Sequence, residues 1–183
     1  MSSKTVITID PWDPKSYDRA IYQVNQFKKK LENQLDELCK RLAEFGKIRA
    51  AELYSNALYA GTNDVQVDVF PGENGTCVLL AWGDALFFIE FGTGILYEDD
   101  SWQARNDINV SLTGRGQFGY HLGSLPDGWR YHGDPGNLGQ KIPEGEPHAG
   151  EIHTYGNPSA LAMWRTREEM ISSIKSIAKE VFK

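Results

Sequence analysis

From residue 16 to about residue 45 the apolar side chains Ile21, Val24, Phe27, Leu31, Leu35, Leu38, Leu42 and Phe45 recur every three or four positions. That is the period of a helix that hides one face. Ser16, just after Pro14, predicts the N-cap, and Gly46 predicts a kink. Ile48, Ala51, Leu53, Tyr54, Ala57 and Leu58 carry the pattern on to Gly61, a natural C-cap, so residues 16–60 read as helical. The early repeat is close to seven residues, which fits a coiled-coil partner as well as the protein's own sheet. Packing on the sheet is the commoner use of such a stripe and is the expectation. Ahead of the helix, residues 5–9 alternate and run into Asp10 and Pro11, which predicts an edge strand or an arm within residues 1–15.

The period then drops to two. Val65, Val67 and Val69 alternate with polar neighbours, the run 71–75 is turn-prone, and 76–82 is rich in strand formers, so residues 64–82 predict a β-hairpin. The stretch 85–95, ALFFIEFGTGI, is apolar except for Glu90 and stops at Gly92, Thr93 and Gly94. It reads as a short helix over 85–91 capped by Asp84, with a third strand as the competing assignment. A carboxylate in such a run either enters an ion pair in a pocket or caps a neighbouring backbone, because burying it unpartnered costs several kcal/mol.

Residues 92–157 hold 13 of the 18 glycines together with Tyr97, Trp102, Phe118, Tyr120, Trp129, Tyr131 and Tyr155. Disordered segments are poor in aromatics, so this insertion predicts extra short strands or a segment ordered by a partner. Residues 128–131 and 151–155 read as two strands around a turn-rich tip, 132–150. Residues 158–183 form the last helix, with Asn157 as N-cap, Pro158 at its first position, and a stripe through Leu161, Trp164, Met170 or Ile171, Ile174, Ile177 and Val181. The elements together predict an α+β fold. A small antiparallel sheet is packed by a long N-terminal helix and a C-terminal helix, with the glycine- and aromatic-rich insertion between.

Composition narrows the function classes. No apolar run approaches the roughly 18 residues that cross a bilayer, and the N-terminus lacks the apolar core of a signal peptide. Cys39 and Cys77 have neither disulfide-framework density nor metal-ligand spacing and read as buried thiols. Residues 61–157 carry 4 basic and 14 acidic side chains, a balance of −10 that makes a poor general nucleic-acid surface. The basic run Lys28-Lys29-Lys30 reads as a solvated helix face.

Candidate chemistry is thin. Gly114 to Gly119 matches G-x-G-x-x-G, yet lacks the strand, helix and acidic residue that a dinucleotide site requires. His121, His132, His148 and His153 lie in the insertion among Glu98, Asp99, Asp100, Asp134 and Glu151. The spacing from His148 to His153 misses the helical zinc registers. No nucleophile elbow, P-loop or Cys-His pair is present. The expectation is no catalytic residue, no cofactor and no metal, with a metal-dependent hydrolase built on the His/Asp/Glu-rich insertion as the alternative.

Phe88-Ile89-Glu90-Phe91-Gly92-Thr93-Gly94, followed by Tyr155-Gly156-Asn157-Pro158-Ser159-Ala160-Leu161-Ala162-Met163 and an amphipathic helix, resembles the tail-completion (neck, head-to-tail joining) proteins of long-tailed double-stranded DNA phages. The order of elements matches over nearly the whole chain, although shorter members lack most of the insertion. The resemblance implies a virion structural protein of the neck or tail, assembled in the bacterial host cytoplasm into a homo-oligomeric ring, a hexamer. It would meet connector and tail-tube or tail-terminator proteins, with DNA passing nearby and neither sequence-specific nucleic-acid contact nor membrane. Phe88, Glu90, Phe91, Gly92, Thr93, Gly94 and Pro158 are then structural. The candidate interface is Glu98, Asp99, Asp100, Trp102, Trp129 and Tyr131. The acidic middle of the chain would either face a DNA passage without binding it or dock on a basic patch of a neighbouring ring.

Overall fold

The computed structural model describes residues 6–92, 95–96, 117–118, 128–154, 156–157 and 159–182. Helix α1, Pro14–Ser55, runs unbroken through Gly46. At roughly 1.5 Å per residue its 42 residues span about 60 Å. Its N-cap is Asp13, whose side chain accepts from the Lys15 N–H, with Pro14 at the first helical position. Ser16 is therefore inside the first turn. Its hydroxyl donates to the Asp10 carbonyl at 2.8 Å and accepts from the Asp10 N–H, tying down the preceding chain. Residues 6–10 form an exposed arm without strand pairing. The helix ends at the C-cap Asn56, whose side chain bonds the Glu52 carbonyl, so Gly61 lies in the connection beyond.

The hairpin pairs β1, Gln66–Pro71, with β2, Cys77–Trp82, around a 3₁₀ turn at Glu73–Gly75. Val67 faces Ala81 and Val69 faces Leu79 on the inner side, while Phe70, Val78, Leu80 and Trp82 are exposed. Helix α2, Leu86–Phe91, follows, which settles the stretch as helix. The insertion contributes a two-residue pair, β3 Ile95–Leu96 with β4 Gln117–Phe118. It also supplies an antiparallel sheet of β5 Trp129–Tyr131, β6 Gln140–Lys141 and β7 Ile152–Thr154 in the order β5-β7-β6. Helix α3, Ala162–Val181, closes the fold antiparallel to α1, with Arg49 on Glu169, Arg41 near Glu180 and Gln34 on the Val181 carbonyl.

The core gathers Ala50, Tyr54, Ala57, Ala85, Ile89 and Ala162. Small residues let the two long helices approach: Ala43, Gly46 and Ala50 are all buried on one face of α1. The insertion sheet is fastened to the end of α1 by Asn137. Its side chain accepts from the Tyr59 N–H and donates to the Ala57 carbonyl, and its own N–H donates to the Tyr59 carbonyl. Gly136, at φ +60°, fits there because a Cβ would meet the Tyr59 carbonyl oxygen at 2.3 Å.

The apolar stripe of α1 packs on the body only at its C-terminal end. Leu38, Leu42 and Phe45 are half-buried, whereas every residue from 21 to 33 is exposed and Leu35 is 51% exposed. The packing of the stripe on the sheet is confined to that end by length. A six-residue strand spans about 20 Å against the helix's ~60 Å.

Gly46 tests the close packing of α1 against α3. A Cβ there would stand 2.6 Å from the Met170 sulfur and 3.0 Å from a Leu79 methyl. Gly46→Leu is expected to cost about 2 kcal/mol in chemical denaturation. Gly46→Ala should cost much less, because the flexible Met170 tip can move and alanine gains helix propensity.

A carboxylate clasp beside an aromatic cavity

Helix α2 is too short to persist alone, and each of its ends is held from elsewhere in the chain. At its start the Asp64 carboxylate accepts from the Asp84 N–H at 2.8 Å and the Ala85 N–H at 2.9 Å. Those bonds hold Asp64 below its ordinary pKa. The expected cap, Asp84, makes no such bond with its side chain. The acceptor comes instead from the loop before β1, which the hairpin brings back to this point. At the other end Gly92, at φ 78° and ψ 167°, donates its N–H to the Phe88 carbonyl. That backbone region is essentially open to glycine alone.

Glu90 is 8% exposed and sits where three helices meet. The Tyr54 hydroxyl on α1 donates to its Oε2 at 2.8 Å. The Met163 N–H, in the first turn of α3, donates to both carboxylate oxygens at 3.2 Å. An acceptor at a helix N-terminus satisfies an orphan donor and sits at the positive end of the helix dipole. Of the two roles open to this residue, it takes the capping of a neighbouring backbone. Burial, then the bond to Glu90, push the Tyr54 hydroxyl far above its ordinary pKa.

The chain leading into α3 completes the clasp. Asn157, 1% exposed, donates its side-chain amide to the Phe88 carbonyl at 2.9 Å. Ala160 N–H bonds the Ile89 carbonyl and Leu161 N–H bonds the Glu90 carbonyl. These donors satisfy the last carbonyls of α2, which is why Asn157 is not the N-cap and α3 begins only at Ala162. Leu161 takes the N-cap position in the left-handed region, φ 47° and ψ 41°, without a side-chain cap bond. Glu90 supplies what that position lacks.

Beside the clasp, Phe88, Trp129, Tyr131 and Tyr59 line a cavity of about 350 Å³. It brings together one residue of the resemblance motif and two of the candidate interface. Trp129 and Tyr131 are half-buried and line this cavity. The Tyr131 hydroxyl donates to the Asp134 carbonyl, and burial raises the pKa of both Tyr59 and Tyr131. Phe91 points outward, stacked on Phe87 at 6.2 Å, and both are exposed. Thr93, Gly94, Glu98, Asp99, Asp100, Trp102, Tyr155, Pro158, His121 and most of the 114–119 glycine pattern lie outside the described residues.

Two of the histidines gather with Arg130 around Glu151. His148 Nδ1 is 3.5 Å and His132 Nε2 is 3.9 Å from Glu151 Oε1, while Arg130 stands 3.7 Å from the other oxygen. Among the described residues no group of three His, Cys, Asp or Glu is placed to hold a metal ion. Cys39 and Cys77 are half-buried neighbours. Burial, then hydrogen bonding to Cys39, raises the Cys77 thiol.

Tyr54, Asp64, Asn137 and Asn157 were not singled out from the sequence as site-forming residues. Tyr54 read as one more apolar position on a stripe, and the other three act on partners 20 to 80 residues away.

The clasp predicts a pH signature. A pKa raised on folding gives stability that is full below the unfolded tyrosine value, about 10, and that is lost as pH rises beyond it. Tyr54→Phe is expected to cost roughly 1–3 kcal/mol near neutral pH, since it removes a donor from a buried carboxylate. Urea unfolding of that variant should also show a shallower loss of stability above pH ~10 than the parent.

Comparison of the chain with protein-family models, with curated proteins and with solved structures finds no match.

Proposed function

We propose that the chain is a virion structural protein that joins head to tail in a long-tailed phage, acting through ring assembly and protein contacts rather than catalysis. The observation that carries this reading is how α2 divides its side chains. Glu90 and Gly92 are consumed in holding the fold, while Phe87 and Phe91, 69% and 57% exposed, stack side by side on the outside. Polar and glycine residues that serve the scaffold, beside aromatics offered to solvent, suit an assembly element. The outer hairpin face of Phe70, Val78, Leu80 and Trp82 adds a second exposed apolar surface. Contiguous apolar exposure on that scale is a usual mark of protein contact.

In this reading copies form a homo-oligomeric ring, a hexamer by the resemblance, in the neck or tail of the virion. Connector and tail-tube or tail-terminator proteins bind above and below it. The acidic run Glu98, Asp99 and Asp100 then either repels DNA in transit or docks on a basic neighbour.

Electron microscopy of the purified protein tests the proposal. Closed rings are expected, and Phe87→Ser with Phe91→Ser should abolish them without altering the circular dichroism spectrum. Monomers that bind one equivalent of zinc or manganese, lost on changing His148 and His153 to Ala, would overturn it in favour of a metal-dependent hydrolase.

A further inference from the structure

Helix α3 stops level with Gln34, where the Val181 carbonyl receives the Gln34 side chain at 2.9 Å. N-terminal to that level lie about 20 residues of α1, roughly 30 Å of helix, of which Ser16 and Ala20 are buried and every residue from 21 to 33 is exposed. That stretch is not polar all round. Tyr17, Ile21, Val24, Leu31 and Leu35 are exposed at alternating spacings of four and three, with Lys28 in the one intervening position. The same seam continues as Leu38, Leu42 and Phe45, which the body half-buries. The first six positions of this heptad seam are thus exposed and only the last three are half-buried.

We propose that the open part is closed by the same segment of a second copy, running antiparallel as a two-stranded coiled coil. One register keeps every contact inside the uncovered stretch. It sets Tyr17 against Leu35, Ile21 against Leu31, and Val24 against Lys28, and each pair recurs by the two-fold symmetry. A slip of one heptad in one direction sets Tyr17 against Lys28 and shortens the overlap. A slip in the other direction sets Ile21 against Leu38, which the body already half-buries.

Lys28 selects the direction. In a parallel pair it would meet its own copy in the seam, two like charges face to face. In the antiparallel register it meets Val24, and its ammonium stays 3.7 Å from Glu32 at the margin. The antiparallel arrangement also places the two bodies at opposite ends of the paired arms. Phe27, 57% exposed, lies beside the two-fold axis and adds to the buried surface.

The area suffices for a reversible dimer. With exposures between 38% and 60%, Tyr17, Ile21, Val24, Phe27, Leu31 and Leu35 together offer on the order of 500 Å² per arm. A pair removes about 1,000 Å², the lower end for a specific interface. Asp18 and Glu32 of the two copies fall on the same flank, which keeps the association weak. This pairing is independent of the ring reading and doubles whatever assembly the body forms.

Sedimentation of the full-length chain tests it. At micromolar concentration and above, the parent is expected at twice the mass of Ile21→Glu with Leu31→Glu. Melted at a concentration too low for pairing, the two should coincide, because the substituted side chains do not pack on their own body, and the parent alone should gain stability as concentration rises. Lys28→Leu should tighten the association about tenfold or more. In a background with Cys39 and Cys77 changed to Ser, Val24→Cys chains mixed with Lys28→Cys chains should crosslink under mild oxidant, and neither should crosslink alone. Equal masses for parent and Ile21→Glu/Leu31→Glu would overturn the proposal. So would self-crosslinking of Val24→Cys, which marks a parallel pair. Loss of association with Leu80→Glu but not with Ile21→Glu/Leu31→Glu would also overturn it, placing the contact on the hairpin face.

Discussion

A buried carboxylate must find donors or neutralise, and in this chain the donors available to Glu90 come from two other helices. An unpartnered carboxylate at that depth would cost several kcal/mol. The Tyr54 hydroxyl and the Met163 N–H offset that cost. The consequence is architectural: α1, the six-residue α2 and the first turn of α3 are fixed to one point. Leu161 can adopt its left-handed backbone, a conformation that costs roughly 1–2 kcal/mol, because its N–H bonds the Glu90 carbonyl and the next turn is capped by the Glu90 side chain. The insertion then leaves from Gly92 and its described sheet is fastened back at Asn137.

Elements set by period were legible in the sequence, because the period follows from the geometry that buries one face. The long helix, the hairpin, the closing helix and the paired strands, here Trp129–Tyr131 and Ile152–Thr154, all appear in the fold. Helix ends were not legible. Ser16, Asp84 and Asn157 are each good caps by local chemistry, yet tertiary demands override all three. Ser16 secures Asp10, Asn157 serves the end of α2, and Asp64 takes the place of Asp84. An Asp at an N-cap position reveals its type from sequence, but an Asp reaching twenty residues ahead does not.

The candidate site was legible in part for the same reason. The motif around Glu90 stood out because a lone carboxylate in an apolar run demands partners, although nothing local identified Tyr54 or Met163. Trp129 and Tyr131, candidate interface residues by sequence, line a cavity with Phe88 and Tyr59. The uncovered stripe could have been anticipated by arithmetic, since a hairpin of about 20 Å cannot cover a helix of ~60 Å. That mismatch leaves α1 with an apolar face that the described residues do not cover.

Native-state hydrogen exchange tests the clasp most directly. If Glu90 ties the three helices into one cooperative unit, the amides of Ala160, Leu161 and Met163 exchange only on global unfolding. Their opening free energy then matches that of the α1 amides around Ala50 and Tyr54. Exchange of the Met163 amide at the low opening free energy of a fraying helix end, while those α1 amides stay protected, would contradict the account.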